Sequence, residues 1–325
     1  MIISRTPLRI SFAGGGTDLS VFYKKEPGEV ISTAINKYMY VTVNKRFDDT
    51  IRLSYTRTEI VDNLQQLQHE LVREAMKLAG VTKGVEITTI ADIPAKGTGL
   101  GSSSSLTVGL LNALYAYKGK RVPTRQLAEE ACKIEIDIIG EPIGKQDQYI
   151  AAYGGLKHFY FKPNGSVMVE PLLVTGGKIK RLQENLLLFY TYVTRSANSI
   201  LKEQKAKTND RIDALRRLKK LVQPLRGCLE GGNDLDIFGA ILHKGWEVKK
   251  GLASKITNDT IDRYYRKALD AGASGGKILG AGGGGFLLLY CRKPYQRRVK
   301  EALKGLRYLP FEFEPEGSRI IYADY

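Results

Sequence analysis

Two packed domains that mix strands with helices are what this chain predicts, on three observations. Its 325 residues exceed the roughly 100–200 that one domain ordinarily uses. Strand-like and helix-like periodicities alternate along its length. Its 43% hydrophobic and 26% charged residues are the balance of a globular protein able to bury a full core.

The first fifty residues read as strands over Leu8–Ala13, Val30–Ala34 and the alternating segment Tyr38–Phe47. Leu64, Leu67, Leu71, Val72, Ala75 and Leu78 then recur at helical spacing, and Gly80 stops that helix. Val85–Ile90 returns to strand. Helices follow over Ser103–Tyr117 and Thr124–Ile139, the second opened by Pro123 and Thr124. Strands near Gly155–Phe161 and Leu186–Thr191 begin the second half. Helix dominates from Asn198 to Lys250 and over Thr260–Ala271. Strands near Lys277–Leu279 and Phe286–Tyr290, a helix Pro294–Leu306, and strands Tyr308–Phe313 and Arg319–Tyr322 complete the chain. Gly176, Gly177 and several charges interrupt the pattern over Val174–Asn185, which places the boundary between units 1–175 and 176–325.

The formal net charge of +16 favours anionic partners such as nucleotides and phosphorylated metabolites. The basic residues are dispersed, apart from short clusters at Arg216–Lys220 and Arg292–Arg298, which argues for a solvated surface over a nucleic-acid groove. Cys132, Cys228 and Cys291 stand far apart without a CxxC pair, so neither a disulfide framework nor a zinc site is expected. His69, His158 and His243 are equally scattered. No apolar run approaches the about 20 residues of a spanning helix, and Arg5 and Pro7 leave no room for a signal peptide. A cytoplasmic protein is expected, with no membrane partner.

Four segments carry chemistry. In Pro94-Ala-Lys-Gly97-Thr-Gly99-Leu-Gly101-Ser102-Ser-Ser-Ser105, alternating glycines let main-chain amides point at an anion. The serines open a helix, where unpaired N–H groups and the helix dipole favour phosphate. No Gly-Lys-Ser/Thr ends the segment, so it is not a Walker loop. Arg5-Thr-Pro-Leu-Arg9-Ile-Ser-Phe-Ala-Gly14-Gly-Gly16-Thr17-Asp18 reads as a strand with one buried face, then close backbone and a carboxylate suited to vicinal hydroxyls. Glu135 and Asp147, twelve positions apart, offer a magnesium ligand and a group facing a nucleophilic hydroxyl.

The fourth segment, Lys277-Ile-Leu-Gly280-Ala-Gly282-Gly-Gly-Gly285-Phe, satisfies GxGxxG in letters only. It leads into the strand-like Phe-Leu-Leu-Leu-Tyr, whereas the dinucleotide motif opens a helix. Gly272-Ala-Ser274-Gly-Gly276 fits GxSxG but follows a helix end, which excludes a serine hydrolase elbow.

In this order the segments resemble the GHMP kinases. The family's Pro-xxx-Gly-Leu-Gly-Ser-Ser is matched by Pro94–Ser103, and the galactokinase Gly-Ile-Met-Asp-Gln by Gly144-Lys-Gln-Asp147-Gln148. The N-terminal galactokinase motif runs in register with Pro7–Asp18, and the C-terminal glycine motif corresponds to Lys277–Phe286. Gly14-Gly15-Gly16 replaces the galactokinase Gly-Glu-His, which removes two side chains from the sugar pocket. Thr6–Asp18 is instead similar to heptose 7-phosphate kinases, with the kinase domain of L-fucokinase a near relative.

The resemblance implies an α+β fold of two domains. The first would be like ribosomal protein S5 domain 2, with an unusual left-handed βαβ crossover; the second would be ferredoxin-like. It implies ATP and Mg²⁺, and a small-molecule sugar that already carries a phosphate, as partner; it does not give the oligomeric state. Lys96, Gly97, Gly99, Leu100, Gly101, Ser102, Ser103 and Ser104 would hold ATP. Asp147 and Arg9 would be catalytic, and Ser103 with Glu135 would hold the metal, Ser102 or Ser104 being alternatives to Ser103. Gly14, Gly15, Gly16, Thr17, Asp18 and Arg195 would face the sugar. The implied reaction is transfer of the γ-phosphate to the anomeric O1 of D-glycero-D-manno-heptose 7-phosphate. Another sugar 1-kinase such as an L-fucokinase is the alternative, and a non-catalytic nucleotide- or nucleic-acid-binding regulator is a more distant one. All of this requires Asp147 to reach the glycine-rich loop in space.

Overall fold

The computed structural model describes residues 1–94, 97–193, 200, 212–231 and 234–324. In chain order the elements of the first half are β1 (Ile2–Ala13), α1 (Ser20–Tyr23), β2 (Gly28–Lys45), β3 (Ile51–Ser54), β4 (Thr58–Val61), α2 (Glu70–Ala79), β5 (Val85–Ala91), α3 (Ser102–Tyr117), α4 (Thr124–Cys132), α5 (Gln146–Tyr153), β6 (Leu156–Phe161) and β7 (Val167–Pro171). The second half holds α6 (Gly176–Glu184), β8 (Leu186–Tyr190), α7 (Ile212–Lys219), α8 (Val222–Glu230), α9 (Asp236–Lys250), α10 (Asp259–Asp270), β9 (Gly275–Ile278), β10 (Phe286–Tyr290), α11 (Lys293–Ala302), β11 (Arg307–Tyr308) and β12 (Arg319–Ala323).

The first sheet runs β12-β1-β2-β5-β3-β4, with β6 and β7 added beside β2. The 18-residue β2 makes this possible. Its Gly28–Thr33 part pairs with β6 and its Met39–Lys45 part with β5, while β1 follows it antiparallel throughout. Between Pro7 and Leu8 the register slips, from Pro7 opposite Tyr38 to Leu8 opposite Ile35. A bulge of this kind bends a strand and re-aims the side chains beyond it, and Arg9 follows directly. The second sheet is antiparallel, in the order β11-β8-β10-β9. Its β10, Phe-Leu-Leu-Leu-Tyr, is buried at every position, because helices and the first half cover both of its faces.

One apolar cluster joins the two halves. Leu8, Ile10 and Phe12 of β1 pack with residues of the second half, and the rings of Phe12 and Phe238 meet edge to face at 5.1 Å. A second cluster lies wholly in the first half around α3. That helix is buried nearly all round, as its predominantly apolar sequence after Ser105 requires.

Several elements depart from the sequence reading. The helix expected from Leu64 is a 3₁₀ turn, Leu64–Gln66, followed by α2 from Glu70; Gly80 ends it in left-handed geometry as expected. Pro123 precedes α4 without any side-chain cap, and α4 stops at Cys132. The chain continues as a π-helical turn, Lys133–Ile138, which carries Glu135. The interrupted stretch 174–185 contains the helix α6, since Lys178 and Leu182 have a buried face to occupy. The expected strand 308–313 shortens to Arg307–Tyr308 plus a single bridge from Phe313 to Ile35. Short β3, β4 and β7 escaped notice because four or five residues carry little periodicity.

Candidate active site

A cavity of about 260 Å³ lies where the halves meet. The glycine-rich loop forms one wall, and its position follows from hydrogen bonding. β12 pairs with β1 only over Ile2–Arg5, so the same edge of β1 is unpaired further on. The Arg9 amide there donates to the Leu100 carbonyl at 3.0 Å, and the Ser105 hydroxyl donates to the Pro7 carbonyl at 2.8 Å. The loop and the first turn of α3 are thereby docked on the strand that carries Arg9.

Gly101 begins α3 with φ +77, and a Cβ there would stand 3.1 Å from Arg9 Cγ and 3.4 Å from Asp147 Oδ2. Only glycine lets the loop approach these groups so closely in that conformation. Arg9 and Asp147, 138 positions apart, form a two-pronged ion pair: Nε donates to Oδ1 at 2.7 Å and Nη2 to Oδ2 at 2.6 Å. The third prong, Nη1, donates to the Gly99 carbonyl. Asp147 sits in the first turn of α5, so the helix start places it against the loop.

Behind them the Ser103 hydroxyl donates to Glu135 Oε1 at 2.6 Å, and the Gln148 amide donates to Glu135 Oε2. Glu135 is fully buried. Burial pushes its carboxyl up to about 7, against the opposing hydrogen bonds from Ser103, Ser104 and Gln148. Two hard oxygen donors this close at a helix start suit Mg²⁺, which takes one or two protein oxygens and completes its shell with phosphate and water.

Of the residues expected at the sugar, Gly14, Gly15, Gly16 and Asp18 line the cavity. Asp18 is buried and accepts main-chain hydrogen bonds from Gly16 at 2.9 Å and Gln146 at 3.3 Å. Burial, then the Asp147 charge, raise its carboxyl above the ordinary range. Thr17 does not line the cavity: it is fully buried, and its hydroxyl is held by the Gly14 and Glu29 carbonyls at 2.8 and 2.9 Å. Leu100 is likewise buried behind the loop, whereas Gly97, Gly99, Gly101, Ser102, Ser103 and Ser104 all line the cavity. Lys96 and Arg195 lie outside the described residues.

The fourth glycine segment has a structural part. The amide of Phe286 donates to the Thr98 carbonyl, and a Cβ on Gly285 would come within 2.4 Å of that oxygen. The two glycine segments press together main chain to main chain.

Three further cavity residues were given no site role by the sequence. The Ser11 hydroxyl is buried and without a hydrogen-bond partner among the described residues. Ser11 lies two positions from Arg9 on β1, on the same strand face, and that alternation was the one available clue. Lys277 is buried and donates to the Ser11 and Phe12 carbonyls at 3.0 and 3.2 Å. Lys249, in the last turn of α9, donates to the Gly280 carbonyl.

The arrangement offers a helix start suited to an anion, two metal-type oxygens beside it, and a carboxylate–guanidinium pair facing the same space. The families described as GHMP kinases N terminal domain and GHMP kinases C terminal match residues 52–155 and 213–307. The chain is similar to a D-glycero-alpha-D-manno-heptose 7-phosphate kinase from Campylobacter jejuni, 31% identical, with 97% of each chain covered. It also resembles an L-fucokinase/L-fucose-1-P guanylyltransferase from Bacteroides fragilis, 26% identical over 90% of this chain and 35% of that one. Among solved structures, a D-glycero-D-manno-heptose 1-phosphate kinase from Bacteroides thetaiotaomicron superposes with a TM-score of 0.83 at 26% identity, covering both chains completely. No helix among the described residues is long and apolar enough to cross a membrane.

Proposed function

The chain belongs to the GHMP kinases, and on that premise we propose that it moves the γ-phosphoryl group of ATP to the anomeric O1 of D-glycero-D-manno-heptose 7-phosphate. Its chemistry is ATP-dependent phosphoryl transfer to a sugar. The observation that carries the reading is the Arg9–Asp147 pair seated on the glycine-rich loop, because phosphoryl transfer leans on positioning and charge.

The phosphates of ATP rest against the amides of Gly97–Ser104 and the start of α3. Ser103 and Glu135 would hold Mg²⁺, which when bound offsets charge on the β- and γ-phosphates. The sugar lies over Gly14–Gly16, with Asp18 and the Ser11 hydroxyl toward its hydroxyl groups. Asp147 takes the O1 proton as the O1–Pγ bond forms and the bond from Pγ to the leaving ADP oxygen breaks. Arg9 holds Asp147 in place and faces the developing charge. The separate sheets support a division into an ATP-holding unit, 1–175, and a closing unit, 176–325, with β12 completing the first sheet. The three free, buried cysteines agree with action in a reducing cytoplasm.

A coupled ADP-release assay over a sugar panel tests this. Turnover with the heptose 7-phosphate should exceed that with fucose and galactose. Preference for fucose would transfer the assignment to an L-fucokinase, and no ADP release with any sugar would end it.

A further inference from the structure

Three cationic side chains line the cavity among the described residues: Arg9, Lys249 and Lys277. They differ in how much bonding capacity is left. Arg9 uses three N–H groups on Asp147 and Gly99. Lys277 is tethered to two carbonyls at the end of β1, and burial holds its ammonium well below the ordinary range. Among the described residues Lys249 makes one hydrogen bond, to Gly280, and no ion pair with a carboxylate. An ammonium has three donors, so two are left unclaimed by the described residues. A half-buried charge without an ion-pair partner is costly unless a ligand supplies one.

Its location says which ligand. The Gly280 carbonyl anchors Lys249, and Gly280 packs directly on Gly99 of the phosphate loop, a Cβ on Gly280 falling 2.5 Å from Gly99 Cα. The ammonium is therefore held beside the loop by the second half, where β1 and α5 bring Arg9 and Asp147. The groups facing it are Arg9 from β1, Asp18 from the loop after it, Asp147 from α5 and Lys277 from β9. Burial, then Arg9, lower its pKa to about 8, so near neutral pH it keeps its charge and in mild base it loses it.

We propose that Lys249 is a further catalytic residue, which gives its free N–H donors to the γ-phosphoryl group from the side supplied by the second half of the chain. It keeps its proton throughout. As the acceptor O–Pγ bond forms, the electron pair of the breaking Pγ–O bond leaves with ADP, the acceptor proton goes to Asp147, and Lys249 offsets charge on the oxygens in transfer. The inference rests on the kinase reading. A phosphate already carried by the acceptor offers the same chemistry, so the test separates the two.

Calorimetry on the whole chain with Mg²⁺, without sugar, compares AMPPNP and ADP binding for the wild type, Lys249→Met and Lys249→Arg. Lys249→Met should weaken AMPPNP by about tenfold or more and leave ADP within about twofold, since only the first carries a γ-phosphate. With an acceptor, kcat should fall roughly 10²–10³-fold and recover in part in Lys249→Arg. The wild-type kcat/KM for ATP should also decline as pH rises through about 8, the free-enzyme value, and Lys249→Arg should remove that decline, arginine staying charged. Equal losses for both nucleotides, unchanged AMPPNP binding, or a defect confined to KM for the phosphorylated sugar would overturn the proposal. Melting curves separate these outcomes from unfolding. Should the wild type bind AMPPNP yet phosphorylate no sugar in the panel, the acceptor assignment fails while the nucleotide comparison still decides Lys249.

Discussion

Gly99 and Gly280, 181 positions apart, touch through their main chains: a Cβ on Gly99 would lie 2.5 Å from the Leu279 carbonyl oxygen, and one on Gly280 would lie 2.5 Å from Gly99 Cα. Neither obstacle is a flexible side chain, so a methyl group must push the loop and the second half apart. Gly280→Ala should cost about 1–3 kcal/mol of stability and raise KM for ATP more than KM for sugar. Thermal melts and nucleotide titrations check both. An unchanged melting temperature would mean that this contact is looser than it stands.

Asp147→Asn keeps the size of the side chain and removes its ability to accept the acceptor proton. The expected loss is about 10²–10⁴ in kcat with ATP affinity retained. Single-turnover kinetics would measure it, and near-normal kcat would remove Asp147 from proton handling.

Gly14 and Gly15 should behave oppositely. At Gly14, with φ +82, a Cβ would sit 1.9 Å from the Glu29 carbonyl oxygen, so Gly14→Ala should destabilise the fold. At Gly15 the nearest atoms are Ser11 Oγ and Gln146 Nε2 at 3.7 and 3.8 Å, ordinary contacts. Gly15→Ala should melt like the wild type but raise KM for the sugar severalfold, with KM for ATP unchanged. A joint rise in both constants would take Gly15 out of the sugar pocket.

Glu135 makes the metal-free protein sensitive to pH. Its carboxyl stands near 7 when folded, against an ordinary 4.5, so the folded state binds the proton more tightly. Stability is then fully present below about 4.5 and declines as pH rises toward about 7, by on the order of 3 kcal/mol, levelling off above. Melting curves in a chelator should show this decline, and Glu135→Gln should flatten it. A profile identical in both proteins would show that Glu135 does not ionise in that range.

The loop and its catalytic partners were legible because their residue types are improbable elsewhere. Alternating glycines followed by four serines have few uses other than an anion site, and Asp147 lies in a run that keeps the family's Gly, Asp and Gln at Gly144, Asp147 and Gln148. Lys249 was not legible. Lys249-Lys250 at the end of a helix reads as a pair of solvated charges complementing the helix dipole, and only the turn of α9 against β9 sends one of them inward. Lys277 was seen as part of a glycine motif, but its reach to the Ser11 and Phe12 carbonyls depends on how the second sheet meets β1. The π-helical turn at Glu135 leaves no mark in the periodicity, because it shifts the pattern by about one residue in a turn.

β12 has a consequence of its own. The second sheet is threaded between β7 and β12, so the polypeptide leaves the first sheet near Pro171 and re-enters it at Arg319. The halves are thus tied by two tethers, not joined like beads on a string. Any movement of one half against the other has to keep both crossings connected, and a protease nick in one tether would leave the other holding the halves together.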